Sequence, residues 1–387
     1  MDFRLLLLAF GAFAGTTEST LVPGLLPSIS TTMGVSVAQS GYLVVAYSLA
    51  YAIAAPVLSS LFGAGDRRRT LAIAELILGT CALLIAIAPA FPLMVGARAV
   101  LGCGAVLFTS LAQSTAYALA PPERRGRSVA VVMTGGTLAM AVGAPLFALI
   151  SVHFGWRVGY GLVAALAMTS GIIMWFRLPA GIVGERRTLS ERLAVLGNHG
   201  VPTVLIISLL FGIGAFLPNV YMAAISTGAM GMDVATVPLV LLALGLGAVA
   251  GGLIAGQLID RLGAYRTLLL FAVTTTVVLL LIPLLPLLPV PLIAPMWLLA
   301  LVILGTVGWA LFGALLNILA GLAPRDVSLV ISLNLTAGSL GGAVAAFLGG
   351  IAIERFGAAS IGIVGAAFTV AALGLTMMNR ELLRGGR

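Results

Sequence analysis

Residues 15–27 read GTTESTLVPGLLP and sit inside an otherwise apolar run that begins at Leu5. The run is long enough to cross a bilayer as a helix. Glu18 places one carboxylate within it. A charge near the bilayer centre costs about 2.5–3.5 kcal/mol even on lenient insertion scales, so an acid there calls for a function. Proton handling and contact with a transported substrate are the two that fit. Glu18 and the Pro-Gly that follows make a cleaved signal a poor reading, and the segment is expected to be the first spanning helix.

The rest of the composition agrees with a membrane setting. Only 8% of the 387 residues are charged and 61% are hydrophobic, with a mean hydropathy of +1.18. A soluble domain would carry about 25% charged residues. The apolar runs approach 20 residues and do not alternate polar with apolar, which excludes a β-barrel. The 48 glycines suit close helix contacts in lipid. Cys81 and Cys103 both fall in apolar segments and give neither a disulfide framework nor a metal spacing. His153 and His199 stand alone near loops, so no histidine-based metal site or catalytic dyad is expected. There is no GxxxxGK[ST] phosphate loop, and nothing in the chain resembles an enzyme.

Hydrophobic runs bounded by Arg, Pro or Gly predict twelve helices. The first six cover about 5–28, 40–62, 70–89, 92–119, 127–151 and 158–178. A more polar stretch follows, with Arg186, Arg187, Glu191 and Arg192. The second six cover about 202–226, 235–258, 266–286, 292–321, 326–350 and 358–378. The expected fold class is therefore an all-α membrane protein of twelve transmembrane helices in two six-helix pseudo-symmetric halves. Its domains would be residues 1–178 and 201–387, joined by a cytoplasmic connector at 179–200.

Every basic residue is Arg, and their positions predict orientation. With both termini in the cytoplasm, seventeen of the twenty Arg residues fall inside. Arg157 and Arg355 fall outside, and Arg98 lies within a helix. That is the asymmetry of the positive-inside rule, and it explains the +8 net charge without nucleic acid as a partner. The chain also repeats itself. Pro122 and Pro324, and the Phe-Gly pairs at 154–155 and 356–357, are each offset by 202 residues. Asp66-Arg67 and Asp260-Arg261 are offset by 194. Two repeated halves with a substrate path between them are a common transporter plan.

At this point the sequence resembles the major facilitator superfamily, and within it the twelve-helix drug/proton antiporters of the arabinose-efflux-like branch. GQLIDRLGAYRT at 256–267 is similar to the family's loop signature between the second and third helices of a half. LFGAGDRRRTL at 61–71 is its degenerate counterpart, lacking the glycine after Asp-Arg. Asp66, Arg67, Asp260 and Arg261 are the gating candidates, since an acid at a helix end can pair with Arg in one state and release it in the other. ARAVLGCGAVLF at 97–108 resembles the fourth-helix motif, with Arg98 as its embedded base. GGTLAMAVGAP at 135–145 resembles the exporters' helix-five motif through Gly135, Gly136, Gly143 and Pro145, although Ala144 separates the last two. The resemblance implies a secondary transporter of the bacterial cytoplasmic (inner) membrane. It would use no cofactor and draw its energy from the proton gradient.

Depth adds a pairing. Helix four starts at the outer side, so Arg98 lies about two turns in. Helix one runs outward, which places Glu18 in the same outer half. The two can neutralise each other, and a proton or a cationic substrate can break the pair. A structural role for Arg98, donating to backbone carbonyls, stays open. Glu75, about five residues into helix three, is expected to snorkel or to join the Arg67–Arg69 cluster. HFGWRVGY at 153–160 matches the same branch, and Trp156 and Arg157 there read as interface anchors. Tyr47, Tyr51, Gln113, Asn219, Tyr221, Asn317 and Asn334 are cavity candidates, with packing or interhelical hydrogen bonds as the alternative for each.

The expected function is proton-coupled export of small lipophilic or neutral compounds by alternating access. The expected partners are a small-molecule substrate, protons and the lipid bilayer, with a monomer sufficient. A sugar or nucleoside exporter or a proton symporter on the same scaffold is the second reading, and a non-transporting membrane sensor the third.

Overall fold

The computed structural model of the chain describes residues 2–62, 65–183, 194–324 and 326–384. Arg186, Arg187, Glu191, Arg192, Arg325 and Arg387 lie outside the described residues. Twelve helices long and apolar enough to span a membrane are present among those described. They are α1 (Phe3–Met33), α2 (Val37–Phe62), α3 (Arg67–Ile87), α4 (Phe91–Leu119), α5 (Arg125–Phe154) and α6 (Trp156–Arg177). Then follow α7 (Val201–Ala229), α8 (Val234–Leu262), α9 (Ala264–Leu287), α10 (Val290–Leu322), α11 (Leu329–Phe356) and α12 (Ser360–Met378).

Each expected helix is found, and the differences lie at the ends. α1 runs past the predicted stop at residue 28, through Pro23 and Pro27, to a left-handed Gly34 cap. Prolines remove two ladder bonds there, but Thr31 and Thr32 donate their hydroxyls to the carbonyls of Pro27 and Ser28 and help to hold the last turn. The extension puts Glu18 at the middle of its helix rather than in its outer half. α9 closes with a 3₁₀ stretch, Ile282–Leu287, in the proline-rich region where the boundary was hardest to read.

Two helices carry π-turns, and both follow from proline or a local break. In α5 the π-turn is Ala139–Gly143, one residue short of Pro145, whose missing N–H interrupts the helical ladder. In α7 the turn is Ile225–Ala229, after a kink at Tyr221 and Pro218. The repeated Phe-Gly loops share a backbone: Gly155 and Gly357 cap α5 and α11 with φ of 89° and 82°. Only glycine adopts that conformation without strain, so the sequence repeat at these loops is also a geometric one.

The apolar core is divided in an informative way. One cluster takes residues from both sets of six helices, including Leu21, Ile29, Leu43 and Trp156 with Leu217, Leu241, Leu279 and Trp297. These lie toward the ends of the helices away from the Arg-rich loops. At the Arg-rich end the cores are separate. Leu8, Leu71, Leu107, Leu111 and Met174 form one. Val204, Leu268, Leu315, Leu319 and Leu383 form the other. Among the described residues, the two sets of six are thus joined by a common core at the Arg-poor end alone.

Small residues make that junction close. Gly245 of α8 abuts the carbonyl of Met140 in the α5 π-turn. A Cβ on Gly24 of α1 would stand 2.8 Å from the Leu241 side chain of α8. A Cβ on Gly350 of α11 would stand 3.1 Å from that of Ala38 on α2. The Ser36 hydroxyl donates to Glu354 Oε1 at 2.5 Å across the same seam. Close backbone approach is what drives helix association where lipid removes the usual hydrophobic advantage.

Candidate functional site

The centre of the first six helices holds a buried ion pair. Arg98 Nη1 of α4 donates to Glu18 Oε1 of α1, and each residue is only 1% exposed. Among the described residues this is the one salt bridge. The guanidinium has two further supports. Its Nε donates to the Leu43 carbonyl of α2 at 3.1 Å. Its plane lies over the Tyr47 ring, 4.6 Å from the centroid. Tyr51 sits one turn on, with ring centroids 5.9 Å apart. The strut and the ion pair, left open for Arg98 by the sequence, are therefore both present.

This arrangement is asymmetric. If Glu18 takes up a proton, Arg98 keeps the carbonyl and the aromatic face, so its charge still has partners. Glu18 has less support: Oε2 is buried and has no hydrogen-bond partner. The hydroxyl of Tyr160 on α6 is also buried without one, and lies within electrostatic reach of both members of the pair. Sequence reasoning passed over Tyr160, although its position in HFGWRVGY was visible. The same stretch supplies a clamp. Arg157 donates to the carbonyls of Ala86 and Ala88 at 2.7 and 2.9 Å and stacks on Trp156, whose Nε1 donates to Thr32.

Other expected positions fall elsewhere. Tyr221 does not line a cavity; it is fully buried at the Arg-poor junction, where its hydroxyl donates to the Ala346 carbonyl at 2.5 Å. The kink in α7 turns it toward Gly41, Gly349 and Gly350, which leave room for the ring. Asn334 is also fully buried and accepts from the Ser208 hydroxyl at 2.7 Å, an α7–α11 bond rather than a cavity contact. Asn219 is half-buried, and its Oδ1 has no hydrogen-bond partner. Gln113 and Asn317 are exposed. Gln113 lies fifteen residues beyond Arg98, about 22 Å toward the Arg-rich end at 1.5 Å per residue.

Glu75 departs most from expectation. It neither snorkels nor joins the arginines; it is fully buried, and neither carboxyl oxygen has a partner. Asp66 caps α3, accepting from the Arg68 amide at 2.9 Å. Asp260 and Arg261 are exposed in the last turn of α8. Of the helix-five residues, Gly135 abuts the Ala9 carbonyl of α1, and Gly143 faces Thr17 and Phe13. A Cβ on Gly136 would lie 3.2 Å from Thr16 Oγ1. Pro145 is buried just beyond the π-turn. These positions place the helix-five run against α1 at the level of Glu18.

A membrane-spanning bundle joined by a common core at one end, with an acid–base pair sealed in its interior, has the build of a transporter. The chain belongs to the Major Facilitator Superfamily, whose sequence model matches residues 8–346 and 204–382. It is 29% identical over 381 residues to the inner membrane transport protein YdhP of Escherichia coli (strain K12), covering 98% of this chain and 96% of that one. It is 28% identical over 265 residues to a chloramphenicol resistance protein of Streptomyces lividans, covering 67% and 68% respectively. The crystal structure of the nucleoside transporter NupG superposes with a TM-score of 0.79 at 13% identity, over 97% of this chain and 99% of that one, which shows the shared fold. The protein is a multi-pass membrane transporter and not an enzyme.

Proposed function

We propose that this transporter is a proton-driven exporter of small lipophilic or neutral compounds in the bacterial cytoplasmic membrane. The observation that carries the reading is the Glu18–Arg98 pair, an ionisable couple in the interior of the first six helices and out of contact with solvent. Burying such a pair gives little stability over a well-packed apolar pair, so it is better understood as a device than as a brace. With the Arg-rich loops in the cytoplasm, a core that the described residues share only at the Arg-poor end corresponds to an inward-open arrangement. Glu18 is then paired with Arg98 in the inward-open state and protonated in the outward-open one.

Glu18 takes up a proton from outside in the outward-open state, carries it through the return to the inward-open state, and releases it there as the pair with Arg98 re-forms. Substrate from the cytoplasm or the inner leaflet competes with that proton, which leaves inward. No cofactor is required; the proton gradient supplies the energy, and a monomer suffices. Asp66, Arg67, Asp260 and Arg261 lie at the Arg-rich end, where closure of the other state would bring them together. The similarity to a chloramphenicol resistance protein supports a neutral, lipophilic cargo. The exposed amides of Gln113 and Asn317 favour a second reading, export of sugars or nucleosides.

A thermal-shift panel on the purified protein at pH 6 and pH 8 tests the competition. Stabilisation by a bound compound follows RT ln(1 + [L]/Kd). Compounds such as chloramphenicol are expected to raise the melting temperature more at pH 8, because protons oppose them at pH 6. Equal shifts at both pH values across the panel would refute competition between proton and substrate.

A further inference from the structure

The pair described above does not use the second buried acid of the first six helices. Glu75 lies eight residues into α3 from Arg67, about 12 Å from the Arg-rich end at 1.5 Å per residue. Its side chain is fully buried against α6, where a Cβ on Gly171 would stand 3.1 Å from the Glu75 Cβ and 3.0 Å from the Ala72 carbonyl. Neither oxygen has a hydrogen-bond partner. The charged and titratable groups on the elements packed against α3 are Arg4 and Glu18 on α1, Arg98, Cys103 and Tyr117 on α4, and Arg157, Tyr160 and Arg177 on α6. Arg67, Arg68, Arg69 and Cys81 lie on α3 itself. None of them forms an ion pair or hydrogen bond with Glu75 among the described residues.

An ionised carboxylate without a counter-charge in such a setting costs several kcal/mol, so the group holds its proton. A permanently neutral acid would give this helix contact nothing that Leu or Met would not, and it adds two unsatisfied oxygens. We propose that Glu75 is a second proton-binding residue of the transporter, carrying its proton in the present arrangement and giving it up to water at the Arg-rich end. In that step the carboxyl O–H bond breaks, the electron pair stays on the Glu75 oxygen and water takes the proton. Ser170 of α6, seven residues from the Arg-rich end of its helix and so at a similar depth, is also buried with an unpartnered hydroxyl. The proposal rests on the proton-driven reading for its role in transport, while its protonation state is independent of it.

Infrared spectroscopy of the purified full-length protein at pH 7 tests this, through the carbonyl stretch that a carboxylic acid has and a carboxylate lacks. The wild type is expected to show such a band, Glu75→Gln to lose it, and Glu18→Gln to keep it. Transfer to D2O should shift the band, because the proton exchanges with water. A wild type without the band, or a Glu75→Gln variant that keeps it, would overturn the protonation. A band that does not shift in D2O while the protein stays folded, judged by an unchanged melting temperature, would overturn the exchange. Glu75→Asp, which keeps the acid, guards against a folding defect in the Gln variant and should retain a band. If the band behaves as expected but no pH-driven transport is found, it is the proton-driven reading that fails.

Discussion

Arg98→Ala is expected to destabilise the folded protein by about 3–5 kcal/mol, the usual cost of removing one partner from a buried ion pair. The substitution removes more than a charge. It deletes the donor to the Leu43 carbonyl and the cation over Tyr47, and it takes from Glu18 the guanidinium that donates to Oε1. Glu18→Gln should cost much less, since Arg98 retains the carbonyl and the ring. The double variant Glu18→Gln/Arg98→Met should recover most of the loss, because replacing both members of a buried pair is often neutral. Thermal unfolding of the wild type, Glu18→Gln, Arg98→Met and the double variant in detergent gives the coupling as a double-mutant cycle. Additive effects would mean that the two residues do not act as a pair.

Gly245→Leu should move the conformational equilibrium rather than the stability of either set of six helices. The glycine abuts the Met140 carbonyl, and the opposing group is backbone, which cannot rotate away. A leucine there cannot coexist with the junction at the Arg-poor end. Overpacking of this kind costs about 1–3 kcal/mol, which corresponds to a ratio of states changed by about 5- to 150-fold. Spin labels on Thr31→Cys and Val234→Cys, in a background without Cys81 and Cys103, report the separation at that end by pulsed EPR. The distance distribution should lengthen in Gly245→Leu and remain short with Gly245 intact. An unchanged distribution would mean that the Gly245 contact does not hold this end closed.

The helices, their order and the matched depth of Glu18 and Arg98 were legible because they depend on hydropathy, chain direction and rise per residue. Which way each embedded polar group faces was not. In lipid both the outer and the inner surfaces of a helix are apolar, so there is no amphipathic stripe to orient it. Tyr221 illustrates the difficulty, since its direction is set by a kink after Pro218 and by glycines on α2 and α11. Asn334 found Ser208 on α7, a partner that no spacing along α11 indicates. Glu75 was placed too near the surface because α3 begins three residues earlier than predicted, and the side chain turns toward α6 instead of the arginines. The prolines of α1 misled in the opposite sense, since helices in membranes continue through them.

The central claim is that Glu18 couples proton movement to export. Purified protein in proteoliposomes, with a pH gradient imposed across the membrane and a panel of neutral lipophilic compounds including chloramphenicol, tests it most directly. The account predicts gradient-driven movement of at least one compound by the wild type, reduced at least tenfold in Glu18→Gln, a loss of about 1.4 kcal/mol or more in coupling. Full gradient-driven flux in Glu18→Gln would contradict it.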